Sequence, residues 1–237
     1  MGAMDAVDAS VTVDDAGELR YRRAMESAFG LTIPRTLAEV CNPTDMALLV
    51  YDMQIGVVSQ VRDGAALVAR VQQVLARARA CRMRVFFTRH LSLPRELMGA
   101  FQYRMAMSWQ RVDSADQVKP WFVRGSAGFE LVPELAPLPS EAIFDKITMS
   151  AFEGTPLSIA IRDCSIRAVA IVGLAIEVGI EPTARHAADL GLIPVVIADA
   201  CGSGHEDAAD RSVSSLGFAG DTILTDIDTF GRLLQPR

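Results

Sequence analysis

The chain is expected to fold as an α/β domain around a mostly parallel, six-stranded central sheet. Three observations point there. Half of the 237 residues are hydrophobic and 22% are charged, which is enough for a large core and too apolar for disorder. Six short apolar runs alternate with segments of helical spacing. The runs are apolar throughout rather than every second residue, as in strands covered on both faces. Such alternation gives right-handed crossovers and a parallel sheet.

The elements follow in order. Residues 1–43 are mixed and polar and are read as an N-terminal arm, with a short helix around Leu19–Phe29. Met1-Gly2-Ala3-Met4 reads as a cloning remnant ahead of a native start. A single domain then spans 44–237. Its strands are Ala47–Tyr51, Val85–Thr88, Ala142–Phe144, Ala168–Val172, Val195–Ala198 and Thr222–Leu224. Helices are expected over Ala65–Ala80, where Leu67, Val68, Val71, Val74 and Leu75 recur at helical spacing, and over Pro156–Asp163, Thr183–Leu190 and Glu206–Leu216. Gly191 is a C-terminal cap signal for the third of these. Leu91–Gly128 breaks the rhythm. It is read as an excursion that helps to cover a pocket; alternatively, a helix Met98–Trp109 packs its Met and aromatic face on the core or on a second subunit.

Composition excludes several classes. The net charge is −6 and no basic stripe is interleaved with aromatics, so no nucleic-acid partner is expected. No apolar run reaches membrane-spanning length, and the N-terminus lacks the pattern of a signal peptide. Cys41, Cys81, Cys164 and Cys201 are scattered, with neither metal-ligand spacing nor a disulfide framework. A reducing, cytoplasmic setting fits.

The chemistry-bearing residues fall at strand ends, where parallel sheets bind ligands. Asp52, His90 and Lys146 each follow a strand, as does the loop Ala175–Gly179. A lysine ammonium beside an aspartate holds it ionised, or tunes it as an acid once the site is dry. A loop that opens a helix offers backbone N–H groups to anionic oxygens. Singly, each residue has an ordinary reading: Asp52 as a cap, Lys146 as a solvated cation, His90 as a structural imidazole.

Together they resemble a family. The pieces are Ala47-Leu48-Leu49-Val50-Tyr51-Asp52-Met53-Gln54, Arg124–Leu135, Asp145-Lys146-Ile147-Thr148-Met149-Ser150-Ala151-Phe152, Val172-Gly173-Leu174-Ala175, Thr183–Ala187 and Ala198-Asp199-Ala200. In order and spacing they are similar to the isochorismatase-like hydrolases, or cysteine hydrolase superfamily. The resemblance implies a three-layer α/β/α sandwich of Rossmann-like topology, a small-molecule substrate and a homo-oligomer, dimer or tetramer. It gives Asp52 an acid/base role, Lys146 the substrate-facing ammonium, and Ala175 and Gly179 an oxyanion pocket. It also implies a non-proline cis peptide at Leu174–Ala175.

One residue departs from that pattern. The nucleophilic cysteine of amidase members maps to Gly179, which closes the thioester route. Isochorismatases resemble this chain there, with glycine at the same place, and they hydrolyse a vinyl ether with an acid and water. The residues after the lysine are Ile147-Thr148-Met149 rather than the usual Trp-Arg-Tyr, and Glu177 replaces a histidine, so isochorismate itself is not the expected substrate. Glu177 is either a water-activating base or a helix-terminal carboxylate. Gln54 and Arg89 either bind substrate oxygens or serve elsewhere, and Phe152 lines the pocket or the core. The metal cluster of nicotinamidase-type members is absent, His90 alone remaining, so no metal and no cofactor are expected. Three functions stay open: direct hydrolysis by water at a vinyl ether, C–N hydrolysis with Glu177 as base, and a binding member without turnover.

Overall fold

The computed structural model describes residues 25–234, together with the strand segments 10–13 and 19–22. Its centre is a six-stranded parallel sheet. Ahead of it come two antiparallel hairpins: β1 (Ser10–Val13) with β2 (Leu19–Arg22), and β3 (Glu26–Ala28) with β4 (Leu31–Ile33). The helix expected around Leu19–Phe29 is therefore replaced by strands. Turn chemistry decides this for β3 and β4: Phe29 and Gly30 both take positive φ, 51° and 79°, the geometry of a tight two-residue hairpin turn. The short helix α1 (Leu37–Val40) follows, held by a capping box between Thr36 and Glu39, and buries Leu37 and Val40.

The strands are β5 (Met46–Tyr51), β6 (Arg84–His90), β7 (Ala142–Lys146), β8 (Ala168–Gly173), β9 (Ile193–Cys201) and β10 (Ile223–Thr225). Their spatial order is β10-β9-β8-β5-β6-β7, and every pairing is parallel. The helices are α2 (Ile55–Val58), α3 (Gly64–Ala80), α4 (Ala100–Gln110), α5 (Leu157–Asp163), α6 (Glu181–Asp189), α7 (Glu206–Ala219) and α8 (Ile227–Leu233). The last of these was not expected from the sequence. Its signal is Asp226, whose carboxylate accepts the Thr229 N–H at 2.7 Å as an N-cap.

Strand period two sorts the core into layers. Met46, Leu48 and Val50 of β5 face one side with Val172, Phe87 and the apolar stripe of α3. Ala47, Leu49 and Tyr51 face the other, with Ile171, Ile161 of α5 and Ala184 of α6. The three-layer α/β/α sandwich is thus present. Tyr51 points to the α5–α6 side, and the next residue, Asp52, emerges at the carboxyl edge.

The chain runs outward from β5 through β6 to β7, then returns to place β8 beside β5 and proceeds to β9 and β10. That reversal is a topological switch point, where the loops part and leave a crevice above the strand ends. Backbones crowd beneath it. Gly173 ends β8 at φ 122°, and a Cβ there would lie 2.1 Å from the Tyr51 carbonyl oxygen, so only glycine fits.

Candidate active site

A cavity of about 550 Å³ opens at the switch point. Its floor is Asp52 and Lys146, its far wall Ala175, Glu177 and Val178, and its cover comes from the Leu91–Gly128 excursion through Trp109, Arg111, Trp121 and Phe122. Helix α4 has no buried residue of its own; the face carrying Ser108 and Trp109 turns to the cavity instead.

Asp52 sits at φ 46°, a left-handed conformation that aspartate tolerates better than most residues. Each of its carboxylate oxygens accepts one hydrogen bond. Oδ2 accepts from Lys146 Nζ at 2.6 Å and Oδ1 accepts from Thr88 Oγ1 at 2.6 Å. The side chains of Lys146 and Asp52 are 1% and 8% exposed, so this is a desolvated, charge-assisted pair. Lys146 also donates to the Thr148 carbonyl at 3.2 Å and lies 4.2 Å above the Tyr51 ring, a cation–π contact. Burial pulls the Lys146 pKa below its usual value, while the Asp52 charge and hydrogen bond pull it back. His90, edge-on to Phe122, is driven down to about 4, first by burial and then by the nearby Lys146 charge; it is a neutral imidazole at pH 7.

The loop after β8 is a π-helical turn, Ile176–Ile180, preceded by a cis Leu174–Ala175 peptide. The Gly179 N–H is committed within it, donating to the Ala175 carbonyl at 3.0 Å. Glu177 Oε1 accepts the N–H groups of Gly204 and His205 at 2.7 and 2.8 Å, which ties this loop to the start of α7. Its Oε2 is buried with no partner.

Five of the residues singled out in the sequence therefore line one cavity: Asp52, Lys146, His90, Ala175 and Glu177. Four do not. Gln54 spends its amide on backbone, donating to the carbonyls of His90 and Phe129 and accepting the His90 N–H, which fastens the end of β5 to that of β6. Arg89 pairs with Asp145 and Glu130 and stacks on Phe129 at 4.2 Å. Phe152 is a core residue of the α5–α6 side, beside His186. Gly179 lies behind Tyr51 and does not reach the cavity.

Sequence reading missed Tyr51, Thr88, Arg111 and His205. It also passed over a usable signal: Lys119 and Lys146 are the only lysines in a chain otherwise charged by arginine. No cysteine lines the cavity. Cys201 ends β9 at the carboxyl edge, but burial drives its thiol pKa far up and its S–H points at the Ile171 carbonyl. Among the described residues, no cluster of three or more His, Cys, Asp or Glu is placed to hold a metal.

A desolvated Asp–Lys pair at the switch point of a parallel sheet is the chemistry-bearing centre of this α/β fold. The chain matches the isochorismatase domain over residues 46–227 and belongs to that family. It is 26% identical over 217 residues to the ureidoacrylate amidohydrolase RutB of Pantoea ananatis, covering 79% of this chain and 77% of that protein. Its fold superposes on a cysteine hydrolase from Pseudomonas syringae with a TM-score of 0.68 at 25% identity, covering 81% and 93% of the two chains. The N-carbamoylsarcosine amidase of Thermoplasma acidophilum shares the fold, with a TM-score of 0.65 at 19% identity over 78% and 97% of the chains.

Proposed function

We propose that this hydrolase acts on a small molecule by direct attack of water, with Asp52 as acid and base and Lys146 setting its charge. One observation carries the reading: the cavity holds a dry Asp52–Lys146 pair and no thiol. In this scheme the proton in play passes along the 2.6 Å Nζ–Oδ2 hydrogen bond. A bound substrate displaces water, which disfavours separated charges and eases transfer of that proton to Asp52.

Vinyl-ether hydrolysis uses such a group. Asp52 protonates the alkene carbon, water adds to the resulting oxocarbenium and returns a proton to Asp52, and the hemiketal splits into a carbonyl and an alcohol. Glu177 is not needed, which suits an Oε1 already holding two N–H groups. The second reading is C–N hydrolysis with Glu177 activating water. It is favoured by the 26% identity to a ureidoacrylate amidohydrolase and by the bare Oε2. A homo-oligomer in a reducing cytoplasm suits both readings.

The test has two stages. Both tryptophans of the chain, Trp109 and Trp121, line the cavity, so ligands from a panel of vinyl ethers, amides and ureas should shift intrinsic emission. Hits are then assayed for turnover with the native protein and Asp52→Asn. A drop of roughly 100-fold or more in kcat for Asp52→Asn is expected. Unchanged turnover would remove Asp52 from the mechanism.

A further inference from the structure

The Tyr51 phenol is a large buried acid that this mechanism leaves unused. Its hydroxyl donates to the Met149 carbonyl, and burial, followed by the Asp52 charge, holds its pKa well above the usual tyrosine range. It is therefore a fixed, neutral wedge. Its position bears on Gly179. A Cβ built on Gly179 would lie 2.0 Å from the phenol oxygen, 2.3 Å from Cζ and 2.5 Å from Cε1. These are not contacts that a small shift relieves, because the ring is held between the sheet and α6 in the core. Gly179 has no positive φ, so its backbone would accept a side chain if Tyr51 were smaller.

We infer that Tyr51 and Gly179 are a coupled pair that determines the type of chemistry: the phenol fills the volume any nucleophilic side chain at 179 would need. Two residues, not one, thereby bar a covalent route. In exchange the ring gives Lys146 a cation–π support at 4.2 Å, and the hydroxyl anchors the loop whose Thr148 carbonyl also holds Nζ. Tyr51 is a positioning residue in this scheme. The inference deepens the reading of direct water attack, but its test needs no substrate, so the two fail independently.

Gly179→Ala is compared in three backgrounds: Tyr51, Tyr51→Phe and Tyr51→Val. With Tyr51 present, the added methyl should lower the thermal midpoint by about 5 °C or more, as overpacking does in a domain of this size. In Tyr51→Phe the loss should persist, because Cζ and Cε1 would still lie 2.3 and 2.5 Å away. In Tyr51→Val it should vanish or reverse. An equal loss in all three backgrounds overturns the pairing. A second measurement stands apart from stability. Gly179→Cys is treated with iodoacetamide and mapped by peptide mass spectrometry, alone and with Tyr51→Val. The introduced thiol should be protected roughly 100-fold with Tyr51 present relative to Tyr51→Val, as a thiol without access is inert. Equal rates would show that the phenol yields, and would overturn the inference even if Tyr51→Val were too unstable for the midpoint comparison.

Discussion

Asp52→Asn should be costly to the fold, and the cost should shrink as pH rises. The substitution keeps the shape of the side chain and a left-handed φ that asparagine also tolerates. What it removes is the negative charge 2.6 Å from an ammonium whose side chain is 1% exposed. Lys146 then has at most a neutral amide oxygen in place of the carboxylate, beside the Thr148 carbonyl and the Tyr51 ring. Breaking a buried pair in this way costs about 3–5 kcal/mol. The site has one escape, which is to release the lysine proton. From an unfolded-state pKa of about 10.4, that costs about 4.6 kcal/mol at pH 7 and about 1.9 kcal/mol at pH 9, which caps the penalty at each pH. The sign follows from linkage. A lysine whose folded pKa is depressed binds fewer protons folded than unfolded, so stability relative to the native protein rises with pH until the unfolded lysine also loses its proton. Chemical denaturation of both proteins at pH 7 and pH 9 reads this directly. The expected loss is about 3–4.5 kcal/mol at pH 7 and about 2 kcal/mol or less at pH 9. A loss below about 1 kcal/mol at both values would mean that the pair is hydrated and contributes like a surface ion pair.

Two further predictions concern the rim and wall. His90 has a folded pKa of about 4, against 6.5 free, so its contribution is present above pH 6.5 and is lost as pH falls towards 4; the native protein should lose about 3 kcal/mol more than His90→Gln over that window, measured by denaturant midpoints. The groups facing that imidazole are Lys146, which lowers its pKa, and Asp52, which raises it. Glu177→Gln retains an oxygen for the exposed Gly204 and His205 N–H groups and should cost less than about 1 kcal/mol, whereas Glu177→Ala hands both to water and should cost about 1 kcal/mol. Turnover should survive Glu177→Gln; its loss with ligand binding intact would transfer the mechanism to C–N hydrolysis with Glu177 as base.

The sheet was legible because each strand is a continuous apolar run, a signal that does not depend on distant residues. Met46–Tyr51 and Ala168–Gly173 are buried at every position, and their sequences are apolar at every position. The β3–β4 hairpin was not legible as strands, because its geometry is set by two positive-φ residues at Phe29 and Gly30 rather than by hydrophobic period. The site divides along a similar line. Asp52, His90 and Lys146 were found because strand ends on one sheet edge must converge. Gln54 and Arg89 lie at the same edge, yet serve backbone and ion pairs, since position at a strand end does not say which way a long side chain turns. Tyr51 shows the deeper limit. In sequence it is the last apolar residue of a strand and reads as core, which it is. Its bearing on Gly179 arises from two elements 128 residues apart along the chain that approach to 2.0 Å of a hypothetical atom. A missing side chain can be read from one sequence; what has taken its space cannot, because that is a property of packing. The glycine alone suggests a lost function. With the phenol seated against the glycine, the proposed scheme rests on the Asp52–Lys146 pair, and placing a thiol at 179 without removing Tyr51 should give no cysteine-dependent turnover.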